Sequence, residues 1–208
     1  MVLQAGEYGS VLAAAAHRRQ TETFEFLVEQ GADINAVLQT GDYGSALAAA
    51  AHQGQTKIVQ FLVENGVDVN MSLRSGRCGS VLVAAASLGQ IETVKFLVEK
   101  GAHVNMLLQF GDYGSPLAAA GGYWPNRTTV EFLIEKGADI NMLLQTGDYG
   151  SALEAASFQS SYGVRIVDLL VVSRARSRCQ YSSPDRALRQ CPCHSSTWRR
   201  ARDCRLLS

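Results

Sequence analysis

Residues 41–75 read Gly41-Asp42-Tyr43-Gly44-Ser45-Ala46-Leu47-Ala48-Ala49-Ala50-Ala51-His52-Gln53-Gly54-Gln55-Thr56-Lys57-Ile58-Val59-Gln60-Phe61-Leu62-Val63-Glu64-Asn65-Gly66-Val67-Asp68-Val69-Asn70-Met71-Ser72-Leu73-Arg74-Ser75. Ser45 suits a helix N-cap, because its hydroxyl can accept a first-turn amide. The alanine run to Gln53 is the best helix-forming composition available, and Gly54 breaks it. A second helix is expected from about Thr56 to Asn65, with Ile58, Val59, Phe61, Leu62 and Val63 on a broad apolar face. Gly66 is its stop, where a left-handed backbone favours glycine. Residues 67–75 lack helical periodicity and read as an extended finger.

The same unit recurs along the chain. Gly-x-Tyr-Gly-Ser starts at Gly6, Gly41, Gly111 and Gly147, and the variant Gly-Arg-Cys-Gly-Ser starts at Gly76, so the spacings are 35, 35, 35 and 36. The ending Phe26-Leu27-Val28-Glu29-Gln30-Gly31-Ala32-Asp33-Ile34-Asn35 echoes from Phe61, Phe96 and Phe132. Two short helices and a finger cannot bury their apolar faces alone, whereas stacked copies share one continuous core. The alanines at 49–51 and 84–86 allow close helix approach.

These residues resemble the ankyrin repeat. That family opens its first helix with Thr-Pro-Leu-His-x-Ala-Ala, which corresponds to Ser45-Ala46-Leu47-Ala48-Ala49-Ala50-Ala51, and the fourth unit keeps the proline in Ser115-Pro116-Leu117. Its ending, Leu-Leu-x-x-Gly-Ala-Asp-Val-Asn, corresponds to Leu27 through Asn35. The likeness covers residues 1–171 and is nearest to arrays of filamentous fungi, some of them attached to nucleotide-binding receptor domains. It implies an all-α solenoid of helix-turn-helix units with extended fingers, in repeats of about 6–40, 41–75, 76–110, 111–146 and an incomplete 147–171. It also implies protein binding on the concave face.

The sequence departs from that family in three ways. The motif histidine is replaced by Ala13, Ala48, Val83, Ala118 and Glu154. The period of 35 exceeds about 33, and the surplus falls between Asn35 and Ser45, which lengthens each finger by two residues. Extra residues enter at 121–126 in the fourth unit and 158–163 in the fifth. Val2-Leu3-Gln4-Ala5 matches Val37-Leu38-Gln39-Thr40, so the chain is expected to start inside a finger, as a fragment of a longer array. Leu12, Phe24 and Leu27 are then expected on an uncovered N-terminal face.

The chain has 208 residues, 47% of them hydrophobic and 18% charged, a composition that excludes collagen and low-complexity disorder. Its formal net charge of zero is a cancellation. Residues 1–171 hold 10 basic and 17 acidic side chains, whereas residues 172–208 hold nine Arg and two Asp. Only Cys78 precedes residue 172, which points to a reducing, intracellular compartment, either cytoplasm or nucleus. No apolar run approaches the roughly 18 residues of a membrane span. The tail 172–208 reads as disorder, or as the product of a shifted frame or retained intron. Cys191, Cys193 and His194 match no paired zinc frame, and the arginines at 199–202 read as part of the same tail.

No phosphate loop, His-Glu-x-x-His or Gly-x-Ser-x-Gly pattern occurs. The expected function is therefore a non-catalytic protein-interaction scaffold without catalytic residues, metal or cofactor. An acidic array favours a partner with a basic surface, not nucleic acid or a membrane. The alternative is a sensing or targeting arm of a signalling nucleotide-binding receptor whose ATPase domain lies outside this chain. Candidate contacts are Tyr8, Tyr43, Tyr113 and Tyr149, with Asp42 and Asp112 beside them. His17, His52 and Gln53, at first-helix ends, vary between units, and Tyr123 and Trp124 form a turn cluster. For the tyrosines, strict recurrence favours packing of finger on finger over partner contact.

Overall fold

A computed structural model describes residues 8–122, 124–158 and 166–173. First helices are α1 (Val11–His17), α3 (Ala46–His52), α5 (Val81–Ser87), α7 (Pro116–Gly121) and α9 (Ala152–Phe158). Second helices are α2 (Thr21–Glu29), α4 (Thr56–Glu64), α6 (Ile91–Glu99) and α8 (Arg127–Glu135). Residues 166–173 form a further helix, α10. The described residues contain no strand.

The first helices start where the hydroxyls predict. Ser10, Ser45, Ser80, Ser115 and Ser151 each accept, on Oγ, the amide three residues on, at 3.0–3.3 Å. Those amides belong to the residues that replace the family's histidine, so the cap works without it. Gln20, Gln55 and Gln90 precede their second helices without a side-chain cap bond. In the fourth unit Asn126 supplies one, Oδ1 accepting Thr129 N–H at 3.0 Å. The extra residue there is absorbed between the end of α7 and this cap.

The first helices stack in one row, α1 on α3, α5, α7 and α9, and the second helices form a looser outer row. Alanine makes the inner row possible: Ala48–Ala51, Ala84–Ala86 and Ala118–Ala120 are completely buried. The outer row buries Phe24, Val59, Val94 and Val130 in one phase and Leu62, Leu97 and Leu133 in another. Each such leucine contributes about 2 kcal/mol of burial.

One expectation about the N-terminal face is corrected. Leu12 and Phe24 are buried and Leu27 is half-buried. Phe24 turns toward the second unit, where its ring meets Phe61 edge-on with centroids 6.1 Å apart. The exposed ring on α2 is Phe26.

Candidate functional site

The fingers are irregular in dihedral angle but regular in bonding. Arg77 N–H donates to Asp42 O at 3.0 Å, Asp112 N–H to Arg77 O at 2.8 Å, and Asp148 N–H to Asp112 O at 2.9 Å. One backbone chain of hydrogen bonds thus runs across four consecutive fingers. Hydroxyls add to it: Ser75 Oγ donates to Leu38 O at 2.7 Å, and Thr146 Oγ1 to Leu108 O at 2.9 Å. Two fingers close on themselves, where Leu38 N–H reaches Gly44 O (2.8 Å) and Leu144 N–H reaches Gly150 O (3.0 Å). Leu38, Leu73 and Leu108 are buried beneath.

In the second and third units the asparagine that ends the repeat phrase is a clamp. Asn70 Nδ2 donates to Gly101 O (2.9 Å) while its Oδ1 accepts His103 N–H (2.8 Å). Asn105 does the same one unit later, to Gly137 O (2.9 Å) and from Asp139 N–H (2.7 Å). Sequence reasoning had no role for this residue, because the partner lies more than thirty residues away.

Three of the four candidate tyrosines sit in this scaffold and not on its surface. Tyr43, Tyr113 and Tyr149 are 8%, 7% and 5% exposed, so little of each ring is open to a partner. Cys78, in the same phase, is buried, and burial pushes its thiol up to about 12, keeping it protonated and chemically quiet. Tyr8 is half-buried and stacks on Tyr43 at 6.1 Å, with the Arg18 guanidinium 5.6 Å from its centroid.

His17 and His52 join that ring stack. The His17 ring lies 4.9 Å from Tyr43 and 6.2 Å from His52, and His52 lies 5.1 Å from Tyr43. His17 Nε2 is 2.8 Å from the Tyr43 hydroxyl and 2.7 Å from Gln53 Nε2. Both contacts thus fall on one ring nitrogen of His17. His52 Nδ1 is buried with no hydrogen-bond partner. Burial first, then the His17 and Arg77 charges, push His52 down to about 4 against the opposing pull of Asp42. The structure therefore brings Tyr8, His17, Tyr43, His52 and Gln53 into one cluster.

Asp112 is brought to Arg77, whose Nε donates to Oδ2 at 2.7 Å. This bridge raises the arginine's pKa and fills the phase where the third unit carries Arg in place of the acid. Asp42 contributes its backbone carbonyl to the ladder and is half-buried. Trp124 is exposed; Tyr123, with the tail 174–208, lies outside the described residues. Among the described residues no group of three or more His, Cys, Asp or Glu is placed to hold a metal, and no helix is long and apolar enough to cross a membrane.

Sequence reasoning also missed four exposed apolar residues of the fingers, Val37 and three that stand out further. Leu107 and Phe110 are each 55% exposed and Leu143 is 79% exposed. For Phe110 the signal was in the register, the phase of Thr40, Ser75 and Thr146; Leu107 shares its phase with Val37, Ser72 and Leu143.

Helix pairs joined by tied fingers, each touching its neighbours, define a repeat solenoid, a class whose sites are surfaces and not clefts. Residues 11–108 match the model of the family described as ankyrin repeats, in three copies. The fold is an ankyrin-repeat solenoid, and ankyrin repeats are in general modules for binding other proteins. No curated protein matches the chain.

Proposed function

We propose that this protein is a non-catalytic interaction scaffold that holds a protein partner along its fingers and the adjoining ends of its first helices. The observation that carries this reading is a division of labour by register. Positions that tie unit to unit recur with little change, as the two glycines, the Ser cap and the clamp asparagine do. Accessible positions beside them change from unit to unit. His17 and Arg18 are followed in register by His52 and Gln53, then Ser87 and Leu88, and of these only Ser87 is buried. A rigid frame with a variable edge suits recognition, since little ordering entropy is lost on binding.

Residues 1–171 carry seven more acidic than basic side chains, which supports a partner with a basic surface over nucleic acid. A reducing, intracellular setting and the likeness to fungal arrays belong to the same proposal, as does the division into an array and a tail. The receptor-arm alternative uses the same surface; a phosphate-loop domain encoded in the same gene would favour it.

The test is a hydrogen-exchange footprint of the full chain with a binder selected from a randomised peptide library. Protection should fall on the fingers around 36–43, 71–78, 106–113 and 142–149 and on the ends of α1, α3 and α5. Protection confined to the outer faces of α2, α4, α6 and α8 would overturn the reading.

A further inference from the structure

Phe110 stands where the scaffold would be better served by a hydroxyl. In its register Ser75 and Thr146 donate to the preceding finger's carbonyl, at 2.7 and 2.9 Å. Phenylalanine cannot make that bond to Leu73 O, and its ring is instead more than half exposed. Leu107 is likewise exposed at a position where Ser72 serves the second unit. Stacking therefore does not demand an apolar side chain at 110, whereas the register of Leu107 is apolar in three units, as Val37, Leu107 and Leu143, and polar only at Ser72. Leu143, the most exposed of the large apolar residues, lies on the next finger. Thr146 Oγ1 on Leu108 O and Asp148 N–H on Asp112 O, both 2.9 Å, hold these two fingers side by side.

Their charge is one-sided. Residues 102–112 and 138–148 contain Asp112, Asp139 and Asp148 and no Lys or Arg; the one other ionisable side chain is His103. Arg77, from the preceding finger, meets Asp112. Carboxylates on the same fingers as the apolar side chains disfavour an anionic membrane or a nucleic-acid backbone and favour cationic polypeptide.

We propose that Leu107, Phe110 and Leu143 form the anchoring patch for a cationic peptide segment, one carrying apolar side chains that cover these three residues and Lys or Arg that face Asp139 and Asp148. This rests on the reading of the array as a protein-binding scaffold and names where, and by what chemistry, it binds. Phe110 gives up an inter-finger hydrogen bond for a contact surface, an exchange of stability for function of the kind binding sites make.

The experiment selects a randomised 15-residue peptide display library on the full chain, then measures the enriched peptides against F110T, L107S and L143S. The expected result is enrichment of peptides holding both apolar and Lys or Arg residues, with affinity falling about 10-fold or more in F110T, the loss typical of a hot-spot anchor. F110T should at the same time melt at a higher temperature than the parent chain, because Thr restores the bond to Leu73 O. A residue with a packing role alone would give the opposite melting shift. Enriched peptides that are acidic, or that bind F110T and L107S as tightly as the parent, would overturn this proposal while leaving the scaffold reading intact. A library that yields no binder at all would count against both.

Discussion

At His52, burial decides the charge. The ring lies against Tyr43 and His17, its Nδ1 has no hydrogen-bond partner, and its pKa falls to about 4 from an ordinary value of 6.5. The unfolded chain takes up a proton near pH 6.5 that the folded chain refuses until about pH 4. Between those limits the unfolded state binds more protons, so stability is lost as the pH falls. Ser87 holds the same register one unit on and satisfies itself by donating to Ala84 O at 2.9 Å, which makes H52S the natural replacement. Thermal melts of H52S should show a shallower loss of stability from pH 6.5 to 4 than the parent chain. Parallel slopes for the two would show that His52 is not kept neutral by the fold.

At the scale of the element, the fingers are where distant parts of the chain come closest. Gly44 has a φ of +71°, and a Cβ built on it would lie 2.6 Å from Ser75 O and 3.1 Å from Leu73 Cβ, both in the next finger. Gly114 repeats this against Thr146 O at 2.5 Å. Alanine at Gly44 meets both an unfavourable backbone and a backbone carbonyl of the next finger. G44A should therefore destabilise the protein by about 2 kcal/mol or more in denaturant unfolding. A change under about 0.5 kcal/mol, as at an ordinary surface site, would mean that the fingers are not so closely joined.

The helices were legible because their signals are local: a Ser cap, an alanine run, a Gly stop, all within a dozen residues. The finger was legible only as a non-helical stretch of fixed length. Burial of Tyr43 and Tyr113, and the clamps of Asn70 and Asn105, depend on partners one period away, and no local pattern says which side of an irregular loop faces inward. Recurrence alone favoured packing for the tyrosines, and Tyr43, Tyr113 and Tyr149 are buried. The same comparison of registers would have singled out Phe110, had it been applied to the finger positions that break the pattern and not only to those that keep it.

For the whole molecule, stability is a sum of neighbour contacts, and the formal neutrality of the chain describes neither of its parts. The described units belong to the acidic part, held in register by alanine packing within and by the finger ladder at one edge. That ladder is what makes the fingers a platform able to present Leu107, Phe110 and Leu143 in fixed positions. Native-state hydrogen exchange of the free protein tests this most directly, at the amides of Arg77, Asp112 and Asp148. They lie outside helices, yet each donates to a carbonyl of the preceding finger. The account predicts that they exchange slowly, on the timescale of the adjoining first helices. Exchange at the rate of unstructured amides, with the helices still protected, would contradict it.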